Sequence, residues 1–173
     1  MISEFHSSLI QFVEWRRIHS FPIYSVSNTG LVRNDKTGRQ LTRLVNQAGV
    51  VNVGLTKNHT QYKRAVALLV AKAFLTVVLQ DTFDTPINLN GDRFDNRADN
   101  LAWRPRWFAF KYHHQFDEDP LSGYRVENVE TGEQFESTWD AAVRLGLLQS
   151  DIAISVHTGR RVWPTDQTFR VID

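Results

Sequence analysis

The 173-residue chain has no cysteine. That absence removes disulfide staples, a thiolate nucleophile and cysteine-ligated zinc together. No apolar run approaches the roughly 20 residues that a membrane-spanning helix needs. The first residues, Met1-Ile-Ser-Glu-Phe-His6, place an acid where a secretion signal carries basic groups, and no long apolar stretch follows. A protein of the cytoplasm with no membrane partner is the expectation. Histidine is missing too from one long stretch, with none between His59 and His113, a gap that bears on chemistry below. What is present suffices for a core. Hydrophobic residues make up 42% of the chain, with 5 Trp and 11 Phe, which excludes wholesale disorder.

A net charge of +1 conceals two unlike halves. Residues 1–115 carry 15 Lys and Arg against 8 Asp and Glu, whereas residues 116–173 carry 5 against 11. A front that attracts polyanions is joined to an acidic tail.

Periodicity divides the chain into three parts. Strand-like runs separated by turn residues (Phe21–Val26, Leu31–Arg33, Gln40–Val45 and Val50–Leu55) predict a small antiparallel meander. Val66, Leu69, Val70, Ala73 and Phe74 then recur at helical spacing over residues 65–75. Short extended runs at Pro86–Leu89 and Leu101–Trp103 flank a loop rich in Asn and Asp. Arg104–His114 reads as a helix, with Trp107, Phe108 and Phe110 expected in a small core around it. Asp117-Glu-Asp-Pro120 is a polar break. Beyond it come a strand up to Val129, an N-capping Ser137, a helix closed at Gly146, a second short helix and a last strand near Thr168–Ile172. The expected organisation is an N-terminal β module at 1–60, a core at 61–116 and a C-terminal module at 121–173.

Three local patterns in this order resemble the HNH homing endonucleases of phages and mobile introns. Trp15-Arg-Arg-Ile18 with Tyr24-Ser-Val-Ser-Asn-Thr-Gly-Leu-Val-Arg33 is similar to that family's nuclease-associated N-terminal module. Leu69-Val-Ala-Lys-Ala-Phe74, Gly91 and Asn96-Arg-Ala-Asp-Asn-Leu-Ala-Trp103 resemble the HNH core. Thr131-Gly-Glu133, Ala141-Ala142, Leu145-Gly146 and Gly159-Arg160 resemble its C-terminal helix-turn-helix repeat. The resemblance implies an α+β fold: a β-meander, a ββα-metal (His-Me finger) core and a strand–helix–helix–strand module. It also implies a divalent cation on the scissile phosphate, a His general base and metal ligands on the first strand and the helix.

Carried over by position, the scaffold residues match and the catalytic ones do not. Asn100 matches the Asn that pins the loop. The base position, 12 residues earlier, is Asn88; the ligand positions are Ile87 and Ala109; and the His that opens the first helix is replaced by Ala67. The histidine gap means that no shift of register restores a His base to the first strand. A rearranged metal site would draw on Asp92, Asp95 or His113, with Asp99 nearby; otherwise these acids tighten the loop. No cofactor is expected, with Mg²⁺ or another divalent ion required only by an active enzyme.

Nucleic-acid binding needs none of the missing groups. The cations proposed to meet phosphates are Arg16, Arg17, Arg33, Arg39 and Arg43 in front and Arg93, Arg97, Arg104 and Arg106 around the core. Gln149, Arg160 and Arg161 are the groove-facing candidates of the tail, with Ser155 beside them. Three functions therefore compete. One is a pseudo-nuclease, phage-encoded, that binds duplex DNA or structured RNA without cutting it. The second is a metal-dependent nickase. The third is an effector that uses its acidic tail on a host protein or ribonucleoprotein.

Overall fold

Turn residues at short intervals break up residues 12–65, and this stretch forms two three-stranded antiparallel sheets. In the computed structural model, which describes residues 12–76, 82–118, 120 and 124–172, the first sheet joins β1 (Trp15–Ile18), β2 (Phe21–Ser27) and β3 (Val32–Asn34). The second joins β4 (Leu44–Val45), β5 (Val51–Lys57) and β6 (Thr60–Ala65). β6 was not expected. Its sequence, Thr-Gln-Tyr-Lys-Arg-Ala, is exposed or half-buried throughout and shows no apolar alternation; register with β5 creates it. Both sheets bury Val26, Val53, Leu55 and their neighbours against α1 (Val66–Phe74), which supplies Val66, Leu69 and Val70 to the same core.

The middle of the chain is a hairpin and a helix. β7 (Thr85–Asn88) pairs antiparallel with β8 (Leu101–Arg104), placing Ile87 opposite Ala102 and Asn88 opposite Leu101. Arg104 therefore belongs to a strand. The helix, α2 (Arg106–His114), starts after Pro105, whose φ of −65° suits a helix start. Ile87, Phe108, Ala109 and Tyr112 form the second core. Of the aromatics expected there, Trp107 and Phe110 are instead 56% and 67% exposed. The helical period explains the split, because positions 108, 109 and 112 face the hairpin while 107 and 110 face away.

The third sheet, in the order β10 (Gln134–Phe135), β9 (Val126–Asn128), β11 (Phe169–Val171), packs with α3 (Thr138–Leu145) and α4 (Gln149–Thr158) around Val126, Phe135, Leu147 and Ile152. The expected caps of α3 are in place. Ser137 accepts a hydrogen bond from Asp140 N at 3.0 Å, and Gly146 adopts φ +64°.

Candidate functional site

The Asn-rich loop between β7 and β8 is tied down by carboxamides. Asn100 Nδ2 donates to Asn90 Oδ1 at 2.8 Å and to Asp95 O at 2.9 Å, while Asn90 N donates to Asn100 Oδ1 at 3.1 Å. Asn88 Nδ2 reaches Asp95 O at 2.8 Å and Asn96 Oδ1 at 3.3 Å. A carboxamide offers two donors and an acceptor, which lets one side chain bridge both limbs of a loop. The loop acids are engaged in the same way. Asp95 is gripped by Arg97, whose Nε and Nη2 lie 2.9 and 3.0 Å from its two oxygens; these hydrogen bonds hold the Asp95 carboxyl below the ordinary aspartate value and raise that of Arg97. Asp92 accepts from Phe94 N at 2.8 Å.

Beside this loop a cleft of about 460 Å³ opens between β5, α1, β7 and α2. Asn88 and Ala109, two of the positions assigned to catalysis by resemblance, line it, and so does Ala67. Ile87 is fully buried within the second core. Arg93 and Arg106 bring guanidinium groups to the cleft, and His113 brings an imidazole whose buried Nδ1 has no hydrogen-bond partner among the described residues. Burial, reinforced by Arg93, pushes the His113 pKa down to about 4, so the ring is neutral near pH 7. Its neighbour His114 points elsewhere and meets Asp117 at 3.0 Å. Asp92, Asp95 and His113 do not converge: among the described residues no three His, Asp or Glu side chains are grouped closely enough to hold a metal ion.

Several arginines named for phosphates have other partners. Arg104 is drawn into an internal joint, where its Nε donates to Gly146 O at 3.1 Å and its Nη2 to Leu145 O at 2.9 Å. It thereby caps the C-terminal end of α3, a favourable place for a cation, and burial lowers its pKa. Arg16 donates to Ala73 O at 2.7 Å, and Arg33 pairs with Asp35 at 3.0 Å while lying over the Trp15 ring. Arg93 Nη1 donates to Ala48 O at 2.6 Å. Arg17, Arg39, Arg43, Arg106 and Arg160 form no ion pair among the described residues. In the tail, Arg161 pairs with Asp166 at 2.9 Å. Gln149 is not groove-facing: it is buried, with Nε2 donating to Thr138 Oγ1 at 3.0 Å, and Ser155 is buried too, accepting from Phe169 N. Both sit on the side of α4 that packs on α3 and β11, a facing that a polar sequence does not reveal.

The tail docks closely on the core. Besides Arg104, Gln115 Nε2 donates to Leu147 O at 3.2 Å and Gln115 Oε1 accepts from Gln149 N at 3.1 Å. Trp163, 43% exposed, packs on Trp107 and Phe108 at ring distances of 5.1 and 5.4 Å, and the partly buried Trp139 meets Phe116 at 5.1 Å. No local pattern announced Arg104 or Gln115 as joint residues, since their partners lie more than 30 residues away.

Residues 14–56 match the NUMOD4 motif. The chain is 32% identical over 90 residues to an uncharacterized HNH endonuclease of Acanthamoeba polyphaga mimivirus, covering 52% of this chain and 26% of that protein. It is 29% identical over 143 residues to a second one from the same virus, covering 77% of this chain and 35% of the relative. It thus spans about a quarter to a third of the length of these relatives. Its fold resembles that of the HNH homing endonuclease I-HmuI, solved in a study of DNA binding and cleavage, with a TM-score of 0.53 and 22% identity over 92% of this chain and 98% of that one. In its N-terminal motif and in stretches of its sequence the chain is similar to HNH endonucleases, and in fold it is similar to an HNH homing endonuclease.

Proposed function

We propose that the protein binds nucleic acid, duplex DNA first, through this scaffold without cleaving it by the family's metal-assisted route. The observation that carries the reading is the contrast at the β7–β8 hairpin. The carboxamide ties of Asn100 and Asn90 are all made, while the positions assigned to base and metal ligands hold Ile87, Asn88 and Ala109. Ile87 and Ala109 have no donor atom for a cation, and an amide at 88 cannot take a proton from water near pH 7. The residues present do not fit the divalent ion that the family implies, so no hydrolytic step is assigned to them. Affinity without chemistry is supported by the basic front half and by Arg17, Arg39, Arg43 and Arg106, which form no ion pair among the described residues. The I-HmuI structure, described as binding and cleaving DNA, makes duplex DNA the first partner to test.

The test is incubation of the purified protein with supercoiled plasmid, with and without Mg²⁺ or Mn²⁺, alongside binding titrations. We expect no open-circle or linear product, and binding that weakens by roughly two to three orders of magnitude between 50 and 200 mM salt if about four to six phosphates are neutralised. Metal-dependent nicking that is lost in Asp92→Ala would establish the nickase reading in its place. Failure to bind either DNA or RNA at low salt would refute binding altogether.

A further inference from the structure

The cleft at the hairpin differs in chemistry from a site built to hold a metal and a phosphate. Its walls are Val50, Val51, Ala67, Leu68, Pro86 and Ala109, with the Phe110 ring at one side. At about 460 Å³ it falls within the roughly 300–1,000 Å³ of small-molecule sites. Two of its walls are alanines, Ala67 and Ala109, at positions where the family resemblance expects a His and a metal ligand, and the smaller side chains leave open space. Asn88, only 4% exposed, lines the cleft. Its Nδ2 is engaged by Asp95 O and Asn96 Oδ1, which leaves Oδ1 as the polar atom that no donor among the described residues occupies.

These atoms select between ligands. A carbonyl oxygen repels a phosphate but accepts a hydrogen bond from an amino group. Apolar walls and a ring suit a flat heterocycle. Cations at the cleft suit an anion attached to that heterocycle. Arg106 has no ion pair among the described residues, and Arg93 keeps guanidinium N–H groups beyond the one donated to Ala48 O. The acid in the lining, Asp84, accepts from the Thr85 hydroxyl at 2.7 Å.

We propose that this cleft is a nucleotide pocket: it takes one base carrying an exocyclic amino group, with Asn88 Oδ1 accepting from that group and Arg106 and Arg93 holding the attached 5′-phosphate. The inference rests on the nucleic-acid reading above and deepens it, because the same chemistry is supplied either by a nucleotide extruded from a strand or by a free mononucleotide. Extrusion lays the base face open to stacking at the cost of unpairing, and a pocket of this kind offsets that cost.

Calorimetric titration of the full chain with AMP, adenosine, UMP and inorganic phosphate tests the pocket. AMP binds more tightly than UMP, adenosine or phosphate alone. Arg106→Ala, at an exposed position, weakens AMP about tenfold or more and leaves adenosine unchanged. Ala67→Leu, which fills the cleft, abolishes both, with circular dichroism verifying the fold. A duplex carrying 2-aminopurine then distinguishes the sources: a rise in its fluorescence on binding that is lost in Ala67→Leu identifies an extruded base, and no rise with AMP still bound identifies the free nucleotide. Undetectable AMP binding at millimolar concentration, or AMP affinity indifferent to Ala67→Leu, overturns the pocket. If duplex binding persists in that case, only the pocket fails; if wild-type protein binds no nucleic acid polymer at all, the function proposed above fails independently.

Discussion

Asn88 and His113 show how a position can keep its place and change its chemistry. On β7, Asn88 stands where the family resemblance expects a His base, and it holds the loop through Nδ2 instead. His113 faces the same cleft as a neutral imidazole, its pKa pushed down to about 4 by burial. The sign of its effect on stability follows. Below pH 6.5 the unfolded histidine takes a proton that the folded one refuses until about pH 4, so stability is unaffected above 6.5 and falls between 6.5 and 4. The loss is at most about 3 kcal/mol, and solvent around the half-buried ring makes it smaller. Urea unfolding at pH 7 and pH 4.5 reads it, and His113→Gln should flatten the slope in that window. Asp35 and Asp95, held low chiefly by hydrogen bonds from Ser25 and Arg97, add losses only below roughly pH 4.5. A slope unchanged in the variant would assign the pH dependence to other groups.

At the scale of elements, the end of α3 is the junction that decides how the tail meets the core. Gly146 turns the chain with φ +64°, and a Cβ there would lie 2.8 Å from Leu89 and 3.0 Å from Arg104 Nη2. Backbone freedom and close approach are both required at this glycine. Arg104 closes the joint from the β8 side by donating to the last carbonyls of α3. Replacing it with alanine leaves those carbonyls without a charged donor and should cost about 2–3 kcal/mol. Arg104→Lys, which keeps the charge and loses the fork, should recover part of it. A change below about half a kcal/mol in urea unfolding would mean that the aromatic contacts of Trp163 hold the joint alone.

For the whole molecule, the polar break at 117–120 and the reversal of charge across it suggest two modules, whereas the Arg104, Gln115 and Trp163 contacts suggest a tail seated on the core. The two are compatible if cleavage of the connection leaves the halves associated. Limited proteolysis should cut near residue 118, and the fragments should elute together by gel filtration until Arg104→Ala or Trp163→Ala separates them. A tail that leaves the core on cutting in the wild type would show the docking contacts to be too weak to matter. A seated tail holds the exposed Ser150 and His157 of α4, and Arg160 just beyond its end, at a fixed position relative to the hairpin cleft.

The sequence by itself determined the elements with local signals. Tyr24–Arg33 specified its hairpin and Ser137 and Gly146 the ends of α3, because turn chemistry and caps act within a few residues of their cause. It also determined which chemical groups are absent at positions 87, 88 and 109. What only the tertiary structure decided was which polar side chains are free. β6 exists because β5 pairs with it. Gln149 and Ser155 lie inside because α4 is rotated onto β11, and Arg104 is engaged because α3 ends against it. Charge and polarity are local properties of a residue, but availability depends on neighbours 11 to 41 positions away in the chain, and those are brought together only when the cores close.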